Sequence, residues 1–252
     1  MSLAIAIVSA VLPSMLILRY FVKKDRFPEP RRVVLTTFAY GVLVTIPVVA
    51  VALPLLLFVT TLGLSPWLVA LATAVLGAAI PEESFKYLVL RGYAMRHSEF
   101  DEPMDGLVYG VSASLGFATL ENILYVMDGG LTVALTRAVT AVPLHAMFGA
   151  IMGYYAAESH FLSDRSRIFL RRAWAVPVIL HAAYDFPLMV LSQGEAPVSG
   201  GLAAVLIVAA LAVLLVSIVW AMRLAATLRR IQDQTAARMH TESLASPPDP
   251  SI

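Results

Sequence analysis

Four carboxylic acids and two histidines fall deep inside apolar runs long enough to cross a bilayer: Glu82, Glu83, Glu121, His145, His181 and Asp185. A charged group at the centre of a membrane helix costs about 2.5–3.5 kcal/mol on insertion scales, so such groups gather around aqueous or catalytic sites. Carboxylates together with imidazoles are the set that binds metal and moves protons in hydrolysis. Glu82 and Glu83 stand four and three residues before Lys86, so on a helix both can meet its ammonium. Two neighbouring carboxylates with one shared counter-ion suit a general base; the plainer reading is a structural ion pair beside a water-filled crevice.

The other groups read in the same two ways. Glu121 and Asn122 are adjacent, and Glu121 has no basic neighbour at helical spacing. A buried asparagine can simply bridge helices, at about 1 kcal/mol. His145 lies one turn before Gly149, which with Gly153 forms a face of small residues allowing close helix approach. His145 therefore points into the bundle, where a lone histidine is more often a hydrogen-bonded core residue. His181 and Asp185 share a helical face four residues apart, so the aspartate can orient the imidazole or bind a metal beside it.

The elements that carry these residues follow from composition. The chain has 252 residues, 59% of them hydrophobic and 14% charged, against about 25% charged in a soluble domain. With no cysteine, thiolate metal sites, disulfides and a cysteine nucleophile are excluded. Seven apolar runs reach the roughly 20 residues that a bilayer requires. They are Leu3–Val22, Val33–Leu62, Pro66–Arg91, Met104–Met127, Leu131–Ala157, Ala173–Ser192 and Gly201–Met222. The fold class is an all-α polytopic bundle. Pro47 and Pro54 predict a kinked or broken second span. Turn residues cluster at Pro28 and Pro30, Gly63 to Pro66, Asp128 to Gly130, and Gly194 to Gly201.

Sixteen of the eighteen lysines and arginines lie in alternate connections; Lys86 and Arg137 are the two inside spans. The positive-inside rule places the N-terminus outside and the C-terminus in the cytoplasm. The first run lacks a basic n-region, so it reads as a retained span and not a leader. Residues 1–223 read as the membrane domain and 224–252 as a tail. The segment from Arg223 to Leu244 is either an interfacial helix or a solvated extension, and the proline-rich end from Ser246 is expected to be disordered. Counted from the cytoplasmic ends, Glu83 lies about 12 Å deep, His181 about 13 Å, Asp185 and His145 about 19 Å, and Glu121 about 22 Å. That spread is small enough for helix tilt to bring all of them to one site.

In order on consecutive spans stand Glu82-Glu83-x-x-Lys86, Phe117-x-x-x-Glu121-Asn122, His145-x-x-x-Gly149 and His181-x-x-x-Asp185. Together they resemble the PrsW family of intramembrane proteases, as does the loop from Lys24 to Arg32. The resemblance runs from about Leu12 to Phe186. That family is similar to the CAAX-type prenyl-protein endopeptidases, which have Phe-x-x-x-His where this chain has Phe117-x-x-x-Glu121. The resemblance implies an endopeptidase of the bacterial cytoplasmic membrane, with the bilayer and a membrane protein or peptide as partners, and no nucleic acid. Substrates implied are single-span proteins such as anti-sigma factors.

On that reading Glu82 or Glu83 takes the proton of the attacking water, and Lys86 holds one glutamate charged. His145, His181, Glu121 and Asp185 are the expected ligands of a zinc ion. Without metal, the histidines and Asn122 donate to the oxyanion. A transporter using the same cluster as a proton or cation relay is the alternative, disfavoured by the lack of internal repeats. A non-catalytic scaffold ranks last, since every motif position holds a competent residue.

Overall fold

The computed structural model describes residues 3–162, 166–192 and 198–245. Among these residues the regular structure is entirely helical: α1 (Leu3–Lys24), α2 (Arg31–Thr61), α3 (Pro66–Ala72), α4 (Ile80–Gly92), α5 (Pro103–Val139), α6 (Ala141–Ala157), α7 (Ser166–Ser192) and α8 (Gly200–Ala245). A π-helical turn over Thr73–Ala79 joins α3 to α4. Among the described residues five stretches are long and apolar enough to cross a membrane: Arg31–Thr61, Pro66–Arg96, Pro103–Phe161, Ser166–Ser192 and Gly200–Met239. Leu43, Ile46, Leu57, Ile179, Val205, Val208 and Leu215 are exposed on the outside of the bundle. In water an apolar surface of that extent would drive association; in lipid it is the favoured surface.

The helix α5 is the hub. From Met104 to Thr119 every residue is buried, as expected of a helix apolar on all sides. Glycines permit this. A Cβ placed on Gly41 would overlap the Ala113 carbonyl, and one on Gly116 would overlap that of Phe38, so α2 and α5 touch backbone to backbone. On the opposite side Gly106 meets Gly153 and Gly110 meets Gly149, which sets α5 antiparallel to α6. The small-residue face read from Gly149 and Gly153 is therefore the α5–α6 contact, and van der Waals packing at that distance is what holds helices together in lipid.

The turn signals at Gly63 and Gly130 both mark reversals, with φ of 60° and 69° respectively, a region glycine enters without a Cβ penalty. The second matters for chemistry: at Gly130 the last part of α5 folds back alongside the rest of the helix. The expected run Leu131–Ala157 is divided at Thr140 into the end of α5 and α6. The second span is not broken: α2 runs continuously through Pro47 and Pro54, because lipid offers the chain no better hydrogen-bond partner than the helix itself. Beyond residue 223, α8 continues as helix to Ala245; the end from Ser246, and the turn at Gly194, lie outside the described residues. The basic end of α1 meets α8, where Arg229 donates to the Lys24 carbonyl at 2.7 Å.

Candidate active site

Glu82 and Glu83 stand in the first turn of α4, after Pro81 and immediately past the π-helical turn. Such wide turns are rare and recur at functional sites, because the extra residue re-aims the side chains that follow. Lys86 reaches back one turn. Its Nζ donates to Glu82 Oε2 at 3.2 Å and Glu83 Oε1 at 2.7 Å, and lies 2.9 Å from His145 Nδ1 on α6. The ammonium thus spends all three N–H bonds. It is fully buried, and the Phe117 ring sits 4.3 Å beneath it, adding a cation–π contact.

This network assigns the histidine tautomers. Facing an ammonium, His145 Nδ1 must accept; its Nε2–H then donates to Glu121 Oε2 at 2.9 Å. His181 on α7 has Nδ1 at 2.9 Å from Glu83 Oε1 and Nε2 at 3.2 Å from Asp185 Oδ2. Carboxylates can only accept here, so that ring is satisfied when both nitrogens carry protons. Phe148 packs 5.4 Å from the His181 ring, and the two imidazoles stand edge to face at 5.5 Å. Trp174 Nε1 donates to Ser84 Oγ at 2.9 Å and ties α7 to α4 behind the site.

A chamber of about 430 Å³ opens at the centre of this cluster. Glu82, Glu121, Arg137, His145, His181 and Asp185 face it, among apolar residues such as Leu144, Leu188 and Leu211. The fold thus brings to one place every residue singled out from the sequence, but not in equal roles. Glu82 borders the chamber. Glu83, Lys86 and Asn122 are sealed behind the wall, each with 0% exposure.

Arg137 is the residue that sequence reasoning left without a role. Its Nη2 donates to Glu121 Oε2 at 2.7 Å and its Nε to Asn122 Oδ1 at 2.6 Å, while the guanidinium lies 4.0 Å over the Tyr125 ring. Glu121 does have a basic neighbour, then; it arrives across the reversal at Gly130 and not at helical spacing. The signal was available, since Arg137 is an ionisable residue within an apolar run, the same criterion that selected the other six. Four carboxylates face Lys86, Arg137 and His181, so the cluster is close to neutral despite its burial.

The sequence model described as "PrsW family intramembrane metalloprotease" matches residues 29–239. The chain belongs to the PrsW family. Among its relatives are two proteins named Protease PrsW that are each 40% identical to it. The one from Geobacillus kaustophilus aligns over 72% of this chain and 78% of its own length, and the one from Bacillus subtilis over 75% and 85%. A third of that name, from Clostridioides difficile, is 31% identical over 72% and 78%. No solved structure matches the chain. As a PrsW-family member this is an integral membrane protein and an intramembrane protease, and the transporter reading falls away.

The family description raises the question of a metal. Glu82, Glu83 and His145 offer ligand atoms within 4.8 Å of one another, and Glu83 Oε2 is buried with no hydrogen-bond partner. Carboxylate oxygen and imidazole nitrogen are zinc donors, so the residues fit such an ion. Lys86 Nζ contacts these same three side chains. The expected ligands His145, His181, Glu121 and Asp185 ring the same chamber, with each outward imidazole nitrogen already facing a carboxylate.

Proposed function

We propose that the chain cleaves a peptide bond of a membrane-protein substrate in the chamber, with Glu82 as the general base. The observation that carries this is the unequal placement of the pair: Glu82 meets the chamber, whereas Glu83 is closed in by Lys86 and His181. Glu82 takes a proton from water, and the water oxygen bonds to the scissile carbonyl carbon. The proton then passes to the amide nitrogen as the C–N bond breaks. Glu83 is a positioning residue that fixes Lys86 and His181.

Arg137 borders the chamber with two of its five N–H groups committed. Its remaining donors and charge suit the oxyanion of the tetrahedral intermediate. Asn122, closed off from the chamber, holds the guanidinium in place. The experiment is incubation of the purified protein with a single-span membrane protein, an anti-sigma factor being the class that family resemblance suggests. A cut that disappears in Glu82→Gln supports the reading, and a cut that persists there refutes it.

Zinc, if held at the chamber by His145 and His181 with Glu121 or Asp185, would polarise the carbonyl and lower the pKa of bound water towards 7, leaving Glu82 free as the base. With zinc, a strong chelator is expected to inactivate the wild type and added zinc to restore it. His145→Ala is then expected to lower metal content and turnover together, measured by elemental analysis beside the assay. Active protein without stoichiometric metal would leave Glu82 working on free water, and His145→Ala would then lower turnover with no change in metal content.

The topology we assign has seven passes, the N-terminus outside and the tail from residue 224 in the cytoplasm of a bacterial cell, with the protein in its inner membrane. It is supported by the alternation of basic connections along the sequence and by the contact of the α1–α2 loop with the far part of α8. Reporter fusions at Arg167 and after Arg230 are expected to read cytoplasm and those at Gly130 outside. A tail found outside would make the number of passes even.

A further inference from the structure

Where the α1–α2 loop meets the far part of α8, four carboxylates from that loop and the start of α5 converge well away from the chamber. Asp25 and Glu29 come from the Lys24–Arg32 motif, and Glu102 and Asp105 from the entry to α5. Asp25, Glu29 and Asp105 are buried, Asp105 completely. Oxygens of Asp25, Glu102 and Asp105 lie within 4.8 Å of one another.

The surroundings hold this group open instead of neutralising it. Gln232 Nε2, from α8, donates to Asp25 Oδ1 at 2.7 Å and also to Glu102 Oε1. The backbone N–H groups of Asp101 and Glu102 donate to Asp105 Oδ2 at 2.8 and 2.7 Å. The Tyr109 hydroxyl donates to Glu29 Oε2. Asp25 and Asp105 are thus each fixed through one oxygen. The second oxygens of Asp25 and Asp105, Oδ2 and Oδ1, are buried without any hydrogen-bond partner.

Asp25 stands beside Glu102 and Asp105 beside Glu29, carboxyl to carboxyl. Basic side chains are near but engaged elsewhere. Arg26 pairs with Asp233 at 2.9 Å, while Arg229 reaches Asp233 at 3.4 Å and the Lys24 carbonyl. Among the described residues none forms an ion pair with the four carboxylates.

We infer that Asp25, Glu102 and Asp105 form a second cation site, selective for a hard divalent ion such as Mg²⁺ or Ca²⁺. An all-oxygen donor set without imidazole or thiolate favours those ions over zinc. Two oxygens on one calcium at about 2.4 Å lie at most about 5 Å apart, which the group satisfies. Its role is to clamp: the ion joins the α1–α2 loop to the start of α5, and through Gln232 to α8. The site is independent of the proteolytic reading.

The probe is Mn²⁺ titrated into the purified full-length protein in detergent, with free ion followed by electron paramagnetic resonance. The wild type is expected to bind one Mn²⁺ here, displaceable by Mg²⁺ or Ca²⁺. A Glu82→Gln/His145→Ala double variant, which disables the chamber, is expected to keep it. Asp25→Asn and Glu102→Gln, each nearly isosteric, are expected to bind at least tenfold more weakly. Ca²⁺ is also expected to raise the thermal unfolding midpoint of the wild type and not of Glu102→Gln.

The wild-type titration decides even if the variants fail to fold. No binding up to millimolar ion would mean that shared protons hold the carboxylates together, and would overturn the site. So would unchanged affinity in folded Asp25→Asn and Glu102→Gln, or loss of the ion in the chamber variant alone.

Discussion

Glu82→Gln is expected to lower turnover by about 10²–10⁴ fold, the usual contribution of a positioned general base, while the protein folds and expresses as before. The amide keeps the volume of the carboxylate and can still accept from Lys86, but it cannot take the proton of water. Glu83→Gln is expected to do less. It preserves an acceptor for Lys86 and disturbs only the orientation of His181, which lies 2.9 Å from Glu83 Oε1. Initial rates on one membrane-protein substrate, with size-exclusion profiles as the folding control, separate the two. A larger loss in Glu83→Gln would transfer the role of base to the sealed residue. Wild-type rates in both would remove the pair from catalysis altogether.

Lys86→Met is expected to damage stability more than either glutamine variant. The substitution removes a fully buried ammonium from Glu82, Glu83 and His145 at once, leaving two carboxylates facing each other without a counter-ion. Breaking one buried pair in this way costs about 3–5 kcal/mol, a large share of the roughly 5–15 kcal/mol by which a folded protein is stable. Thermal midpoints in detergent, read by intrinsic tryptophan fluorescence, measure it. Combining Lys86→Met with Glu83→Gln is expected to recover part of the loss, since one of the stranded charges is then gone. A Lys86→Met protein as stable as the wild type would show that the ion cluster contributes nothing to the fold.

The two variants together separate chemistry from architecture. Glu82 faces the chamber and Lys86 does not, so a pure loss of rate belongs to the first and a loss of fold to the second. Arg137 sits between these cases. It borders the chamber and at the same time holds Glu121 and Asn122 in place.

Much of this protein is legible in its sequence because a bilayer leaves the chain few choices. Backbone groups in lipid must bond within the helix, so apolar runs mark the helices directly, and the glycines at 63 and 130 mark reversals. Ionisable residues are so costly in such runs that Glu82, Glu83, Glu121, His145, His181 and Asp185 point to a site by their positions in the sequence. The helical spacings of Lys86 to the two glutamates and of His181 to Asp185 become contacts because i,i+3 and i,i+4 geometry is local. What the tertiary structure alone decided is everything that depends on one helix facing another. The partner of Glu121 comes from Arg137 across the fold-back at Gly130, and the Lys86–His145 contact comes from α4 meeting α6. Which of two adjacent glutamates meets the chamber, and that Asp25 and Glu29 join Glu102 and Asp105, depend on the rotation and packing of helices about α5. No periodicity within a single helix records those angles.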